Sequence, residues 1–302
     1  MNPRLAPVAP FTFERCIKDV DVEEAIDLYF HRRLAFWLVL KPIERFGFAW
    51  VTPMKLTLWS IVLGVAAGVV TGMAATGGPL MCVYGAALLL LHVILDCADG
   101  MLARLRGGGS RLGMLIDGAG DGIVGIAYWL GMSWAMAALV HGMWIWPTLL
   151  AIPISIVAHT AVYESIRAKF TAATAPAPLA PSEPTASAPQ PSPGALERAI
   201  ERVYAVYLGY GTKVGKIDLG RPLPVIDPAH ARVALRPAMR TISWIGLGSS
   251  LFTMYVSALL APIWPKAPLW ISLFGLTIVG NLVMLLALWQ LKRGERALGL
   301  AD

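Results

Sequence analysis

Apolar residues form six long runs along this chain, and short polar stretches separate them. Each run has about 20 residues or more, the length a helix needs to cross the hydrocarbon core of a bilayer. The pattern therefore predicts an all-α integral membrane protein with six transmembrane helices. The runs lie at approximately 52–74, 79–98, 114–138, 145–165, 240–261 and 268–291.

A different pattern precedes the first run. Residues 20–48 mix large apolar side chains such as Phe30 and Trp37 with basic ones such as Arg32 and Arg33. This mixture predicts an amphipathic helix that lies in the cytoplasmic membrane interface. Such a helix either anchors and orients the bundle or lines the entrance for a substrate.

These patterns divide the chain into five parts. A long stretch rich in alanine and proline predicts a disordered linker, and the following loop is expected to hold a short helix over 196–207 and irregular structure over 211–235. The parts are an N-terminal segment at 1–48, four transmembrane helices at 49–170, the linker at 171–195, a cytoplasmic loop at 196–239, and two transmembrane helices with a cytoplasmic tail at 240–302.

Composition agrees with a membrane protein. Mean hydropathy is +0.63, and only 15% of the residues are charged, too few for a soluble domain of this size. The net charge of +6 suits cytoplasmic loops beside anionic lipid, and no basic stripe with interleaved aromatics indicates nucleic-acid binding. Cys16, Cys82 and Cys97 have no metal-ligand spacing and predict no disulfide framework.

The distribution of charge predicts the orientation. Basic residues follow the second, fourth and sixth runs, whereas the opposite loops at 75–78, 139–144 and 262–267 hold only His141 and Lys266 as candidate cations. The positive-inside rule then places both termini in the cytoplasm. We expect a multi-pass protein of a bacterial inner membrane.

Four aspartates mark the candidate site, at the end of the second run and the start of the third. Asp96 and Asp99 are three residues apart, and Asp117 and Asp121 are four apart, so each pair shares one face of its helix. Carboxylates beside hydrocarbon are costly unless cations share them. Two such helices side by side would form a cage of oxygen ligands for two divalent cations, Mg²⁺ or Mn²⁺, at the cytoplasmic face.

The residues around the aspartates suit a phosphate ligand. Gly100 and Ala103 leave room on the face of the first pair, and Arg104 offers a planar charged group for phosphate. Glycines at 107–109 let the chain reverse, and Gly113 lies one turn before the second pair.

The complete pattern, D-x₂-D-G-x₂-A-R-x₈-G-x₃-D-x₃-D, resembles that of the CDP-alcohol phosphotransferase family. The resemblance extends over roughly 50–165 and 236–292. It implies that Asp96, Asp99, Asp117 and Asp121 bind metal, and that Asp121 also takes the proton of the acceptor hydroxyl. It further implies that the CDP moiety is bound by Asp99, Gly100, Ala103, Arg104 and Gly113, and that the protein is a homodimer.

Other residues are weaker candidates. The segment Thr52–Thr57 resembles a family turn, T-P-N-x-(I/L)-T, but Met54 replaces the asparagine. The sequence leaves open whether this replacement alters binding of the donor. Thr57 and Arg111 are possible site residues. His92 and His159 lie within spans and are predicted to be packed core histidines.

The leading functional prediction is an enzyme of phospholipid biosynthesis that transfers a substituted phosphate to an alcohol hydroxyl and releases CMP. The preferred prediction is transfer of a phosphatidyl group from CDP-diacylglycerol. A soluble donor of the CDP-choline, CDP-ethanolamine or CDP-inositol type, with a lipid or polyol acceptor, is the alternative. An ion-coupled transporter is a remote alternative, because the aspartates cluster at one face and not at the bilayer centre.

Overall fold

The computed structural model describes residues 11–108, 111–140, 145–175, 194–217 and 227–300, and these residues form helices and no strands. The helices are α1 (Phe13–Cys16), α2 (Arg32–Ala35), α3 (Lys41–Phe46), α4 (Pro53–Gly72), α5 (Ala74–Gly77), α6 (Leu80–Leu105), α7 (Arg111–Leu139), α8 (Ile145–Thr174), α9 (Ala195–Gly215), α10 (Pro228–Ile242), α11 (Leu247–Leu259), α12 (Ala267–Ser272) and α13 (Gly280–Ala297). Three π-helical stretches, Asp27–His31, Phe36–Leu40 and Leu273–Val279, join neighbouring helices.

Six spans among the described residues are long and apolar enough to cross a membrane, which confirms the predicted fold class. The spans are Pro53–Gly77, Leu80–Leu105, Gly113–Leu139, Ile145–Thr174, Pro228–Leu259 and Ala267–Ala297. The protein is thus a multi-pass integral membrane protein.

Two predictions about the connections between the spans need correction. The fourth span continues to Thr174, so the first residues of the predicted linker are helical, while 176–193 lie outside the described residues. The stretch 211–235, predicted to be irregular, is helical at both ends, in α9 and α10. Asp227 begins α10 by accepting hydrogen bonds from the backbone N–H groups of Ala229 and His230, and Pro228 occupies the first turn.

The bundle has two hydrophobic cores. In the first, α4 packs against both α6 and α7, and α11 packs against α6. In the second, α10 packs against α8 and α13. Helix α4 is therefore the common support for the two helices that carry the aspartates.

Glycines allow α4 and α7 to approach closely. A Cβ atom on Gly131 would lie 1.9 Å from the carbonyl oxygen of Gly68, and one on Gly68 would lie 2.4 Å from the carbonyl oxygen of Ala127. On the other side of α4, a Cβ atom on Gly85 would lie 2.0 Å from Thr71 Oγ1. Small residues at helix contacts are the usual means of close packing in a bilayer.

The Gly131→Ala substitution is expected to destabilise the protein by about 1–3 kcal/mol, because the added methyl group meets backbone and not a flexible side chain. Thermal unfolding of the purified protein in detergent would measure the loss. Gly125→Ala on the same helix is the control. A Cβ atom there meets nothing within 4 Å among the described residues, and alanine is the better helix former. Equal unfolding temperatures for Gly131→Ala and wild type would contradict the close approach.

The N-terminal segment is helical over 25–46 and is tied to the bundle by polar contacts. The Glu24 carboxylate accepts hydrogen bonds from the backbone N–H groups of Leu247 (3.0 Å) and Gly248 (2.8 Å), at the N-terminus of α11. A carboxylate is favoured there because the first amides of a helix carry partial positive charge. Asp21 pairs with Arg236 on α10 at 2.8 Å.

The outer face of this segment is apolar. Trp37 and Leu38 are 64% and 61% exposed, whereas Phe36 and Leu40 are buried against the first core. A helix with one apolar face on the bundle and another exposed suits a lipid interface. Its location in the cytoplasmic interface stays a prediction.

Candidate active site

The candidate site lies where the C-terminal end of α6 meets the N-terminal end of α7. Asp96 and Asp99 are in the last three turns of α6, and Asp117 and Asp121 are in the first three turns of α7. Both helices rest on α4, which brings the two aspartate pairs to the same end of the bundle. The predicted meeting of the two pairs is therefore found in the fold.

Three carboxylates form a compact group. One oxygen from each of Asp96, Asp99 and Asp117 lies within 4.8 Å of the others. Asp99 is buried, and the other two are half-buried. Oδ1 of Asp117 is buried and has no hydrogen-bond partner in the described part of the chain. Close carboxylates repel each other, and hard oxygen ligands suit Mg²⁺ or Mn²⁺. The residues present therefore fit a divalent cation.

Asp121 is placed differently from the other three aspartates. It lies one turn after Asp117 and is half-buried, and the charges of Asp117 and Asp99 act on it. It does not belong to the compact group. Three of the four predicted metal ligands are thus brought together, and Asp121 stands beside them.

Thr57 on α4 contacts one carboxylate of this group. Its hydroxyl lies 2.5 Å from Oδ2 of Asp99 and 3.1 Å from the carbonyl oxygen of Pro53, and can donate to either acceptor. Thr52 caps the same helix by accepting a hydrogen bond from the backbone N–H of Lys55 at 3.3 Å. The threonines of the Thr52–Thr57 turn therefore have structural partners, and Thr57 contacts the site directly.

The remaining motif residues lie within two turns of the aspartates along α6 and α7. Arg104 Nε donates to the carbonyl oxygen of Cys16 at 2.5 Å, while Arg104 Nη2 is buried without a partner among the described residues. Gly100 faces this guanidinium group: a Cβ atom on Gly100 would lie 3.6 Å from Arg104 Nη1. Ala103 is half-buried one residue before Arg104, and Gly113 lies in the first turn of α7. The side chain of Arg111 lies outside the described residues.

The two histidines are core residues, as predicted. His92 is buried, and its Nδ1 lies 3.0 Å from the carbonyl oxygen of Ser60. His159 is also buried, and its Nε2 lies 3.1 Å from Oδ1 of Asn281. These contacts are with structural groups rather than with the carboxylates.

The N-terminal segment adds residues that the sequence pattern did not single out as part of the site. Glu23 accepts a hydrogen bond from the backbone N–H of Lys18 at 2.8 Å and pairs with Arg32 Nη2 at 2.9 Å. The charge of Arg32 acts on Asp96, Asp99 and Asp117. The sequence signal was the adjacent pair Arg32 and Arg33, of which only Arg32 turns inward.

Lys18 belongs to the same surroundings. The residue is exposed as a whole, but partial withdrawal of its ammonium group from water and the nearby charge of Arg167 lower the pKa of that group. Arg32 and Arg104 also repel this ammonium group, whereas Glu23 favours it. Positive groups from the N-terminal segment, α6 and α8 therefore converge beside the aspartates.

Comparison with known families agrees with this geometry. Residues 50–181 match the model of the family described as CDP-alcohol phosphatidyltransferase. The chain carries a CDP-alcohol phosphatidyltransferase domain. The matched range contains α4, α6 and α7, and so includes every motif residue of the candidate site. This finding confirms the predicted resemblance over 50–165, whereas the stretch 236–292 lies outside the matched range.

The transferase domain does not account for the whole chain. The N-terminal segment with Lys18, Glu23 and Arg32 precedes the matched range, and α10 to α13 follow it. No curated protein and no solved structure matches this chain. The family is one of transferases that act on CDP-linked alcohols.

Proposed function

We propose that the protein transfers a substituted phosphate from a CDP-linked donor to an alcohol hydroxyl and releases CMP, as an enzyme of phospholipid biosynthesis. The observation that carries the proposal is the compact group of Asp96, Asp99 and Asp117 within a transferase domain. CDP-diacylglycerol is the preferred donor, which would make the product a phosphatidyl alcohol.

Several residues of the site have roles in this reaction. Asp96, Asp99 and Asp117 would hold divalent cations, Mg²⁺ or Mn²⁺, which when bound would neutralise the diphosphate and stabilise the leaving phosphate. Thr57 fixes the orientation of Asp99 through its hydroxyl. Arg104 has an unpartnered Nη2 donor, and a phosphate oxygen of the donor substrate would accept its hydrogen bond.

Asp121 is proposed as the general base. It stands one turn from Asp117 but outside the compact group, so its carboxylate remains available to a hydroxyl. The acceptor oxygen forms a bond to the donor's distal phosphorus, and its proton passes to Asp121. The bond between that phosphorus and the bridging oxygen of the diphosphate breaks, and CMP leaves with the electron pair.

A substrate panel tests this proposal and separates the two donor classes. Purified protein with Mg²⁺ or Mn²⁺ would receive CDP-diacylglycerol and a series of polar alcohols, with CMP release as the readout. A parallel series would combine CDP-choline, CDP-ethanolamine or CDP-inositol with diacylglycerol or a polyol. Activity only in the second series would assign the soluble-donor class, and no CMP in either series would refute the proposal.

The proposed orientation places the aspartates and both termini in the cytoplasm. We therefore expect Arg293→Cys to react with an impermeant thiol reagent from the cytoplasmic side and Lys266→Cys from the opposite side. Both native side chains are exposed, and they lie at the two ends of the last span. The three native cysteines are buried and would give little background. The opposite labelling pattern would move the site across the membrane.

A further inference from the structure

Two buried hydrogen-bond donors near the carboxylates have no partner among the described residues. One is Nε of Arg32 in the N-terminal segment, and the other is Nη2 of Arg104 on α6. Burying a charged donor without a partner is costly, and native structures seldom do so without a reason. Both donors belong to guanidinium groups, which bind planar or tetrahedral oxyanions well.

The two guanidinium groups are fixed in the same region by contacts with the N-terminal segment. Arg104 donates to the carbonyl oxygen of Cys16, and the backbone of Lys18, two residues later, donates to Glu23, which also pairs with Arg32. The positive charge of Arg32 in turn acts on Arg104. Like charges held together inside a protein need a compensating anion.

Glu23 compensates only part of this charge. Its two oxygens are already used, one by the Lys18 backbone and one by Arg32. The side chain is 4% exposed, so water contributes little to the balance. Asp27 and Asp96 also act electrostatically on Arg32, but neither accepts a hydrogen bond from its Nε. Arg32 Nε and Arg104 Nη2 therefore remain without an acceptor in the described part of the chain.

We propose that Arg32, with Lys18, binds a phosphate group of a substrate beside the carboxylate group, so that a segment outside the transferase domain completes the substrate site. The inference rests on the proposed function, whose substrates carry phosphate. Arg104 belongs to the domain motif, and Arg32 adds a second guanidinium from the N-terminal side. The phosphate comes either from the donor diphosphate or from a phosphorylated acceptor alcohol.

Equilibrium binding to the purified full-length protein tests the role of Arg32. With Mg²⁺ present, inorganic phosphate and CDP would be titrated separately by calorimetry into wild type, Arg32→Lys, and the double variant Arg32→Gln with Glu23→Gln. The double variant removes both members of the ion pair, so it leaves no buried Glu23 charge. Arg33→Gln is the matched control, because its side chain is exposed on the same helix.

We expect the double variant to bind at least one probe about tenfold or more weakly, the size of a lost hydrogen bond to a charged group, and Arg33→Gln to bind like wild type. If Arg32 served only to neutralise Glu23, the double variant would bind both probes normally, and that result would overturn the proposal. Should the double variant not fold, Arg32→Lys keeps the ion pair and lacks the Nε donor. Unchanged binding by that variant would overturn the proposal equally.

A second titration distinguishes the two sources of phosphate. Phosphate binding that persists in CDP-saturated protein and depends on Arg32 would assign the acceptor, whereas competition between phosphate and CDP would assign the donor diphosphate. Neither titration requires turnover. An absence of CMP release with every donor would refute the proposed function. The binding titrations would still decide whether Arg32 binds phosphate, because they do not depend on turnover.

Discussion

Asp121→Asn is expected to lower the turnover number by about 10²–10⁴-fold at saturating metal and donor, the usual cost of losing a general base. Asp121 stands beside the compact carboxylate group rather than in it. An amide at this position cannot take the acceptor proton, but three carboxylates remain to hold cations. The initial rate of CMP release under saturating conditions measures the loss.

Asp99→Asn supplies the contrast. Asp99 belongs to the compact group and lies 2.5 Å from the Thr57 hydroxyl. A neutral amide removes one of the charges that hold a cation, so the metal concentration for half-maximal rate should rise together with the KM for the donor. Thr57→Val should produce a weaker effect of the same kind, because it removes only the orienting hydroxyl. Asp121→Asn with near wild-type turnover would rule out Asp121 as the base.

Chelation of divalent cations is expected to abolish CMP release, and Mg²⁺ or Mn²⁺ should restore it. Three carboxylates lie within 4.8 Å of one another, with a buried oxygen of Asp117 that has no partner in the described part of the chain. Carboxylates this close to one another need a nearby positive charge if all of them are to remain ionised. The rate would be measured after dialysis against EDTA and again after titration with each metal.

Elemental analysis of the chelated sample controls for metal carried through purification. Full activity in a sample shown to contain no divalent metal would contradict the assignment of these carboxylates as metal ligands. Restoration by Mg²⁺ or Mn²⁺ but not by added monovalent salt would separate a specific requirement from simple screening of charge.

Much of the architecture and the site could be predicted from local sequence patterns. Apolar runs of sufficient length identify spans because a bilayer requires continuous helices that satisfy their own backbone groups. Asp96 and Asp99 fall on one face of a helix by spacing alone, as do Asp117 and Asp121. The glycine loop between the two helices then predicts that both pairs meet at one end of the bundle.

Contacts between distant parts of the chain were not predictable in the same way. Nothing in the pattern shows that Thr57 reaches Asp99, 42 residues later, or that Glu24 caps α11. The adjacent residues Arg32 and Arg33 cannot be distinguished in the sequence. Because one residue turns a helix by about 100°, only Arg32 of this pair faces the site. The irregular structure expected over 211–235 was wrong at its start, where α9 packs on α8, and at its end, where the buried face of α10 with Ala231 and Leu235 packs on α8 and α13.

The most direct test of the central claim is the stoichiometry of the reaction with radiolabelled CDP-diacylglycerol, Mg²⁺ or Mn²⁺ and an alcohol that the substrate panel identifies. CMP and the phosphodiester product would be quantified together over time. The account predicts one CMP for each phosphodiester formed, with both products requiring the alcohol and both being lost in Asp121→Asn. CMP formed without any phosphodiester, or phosphodiester formed at the wild-type rate by Asp121→Asn, would contradict it.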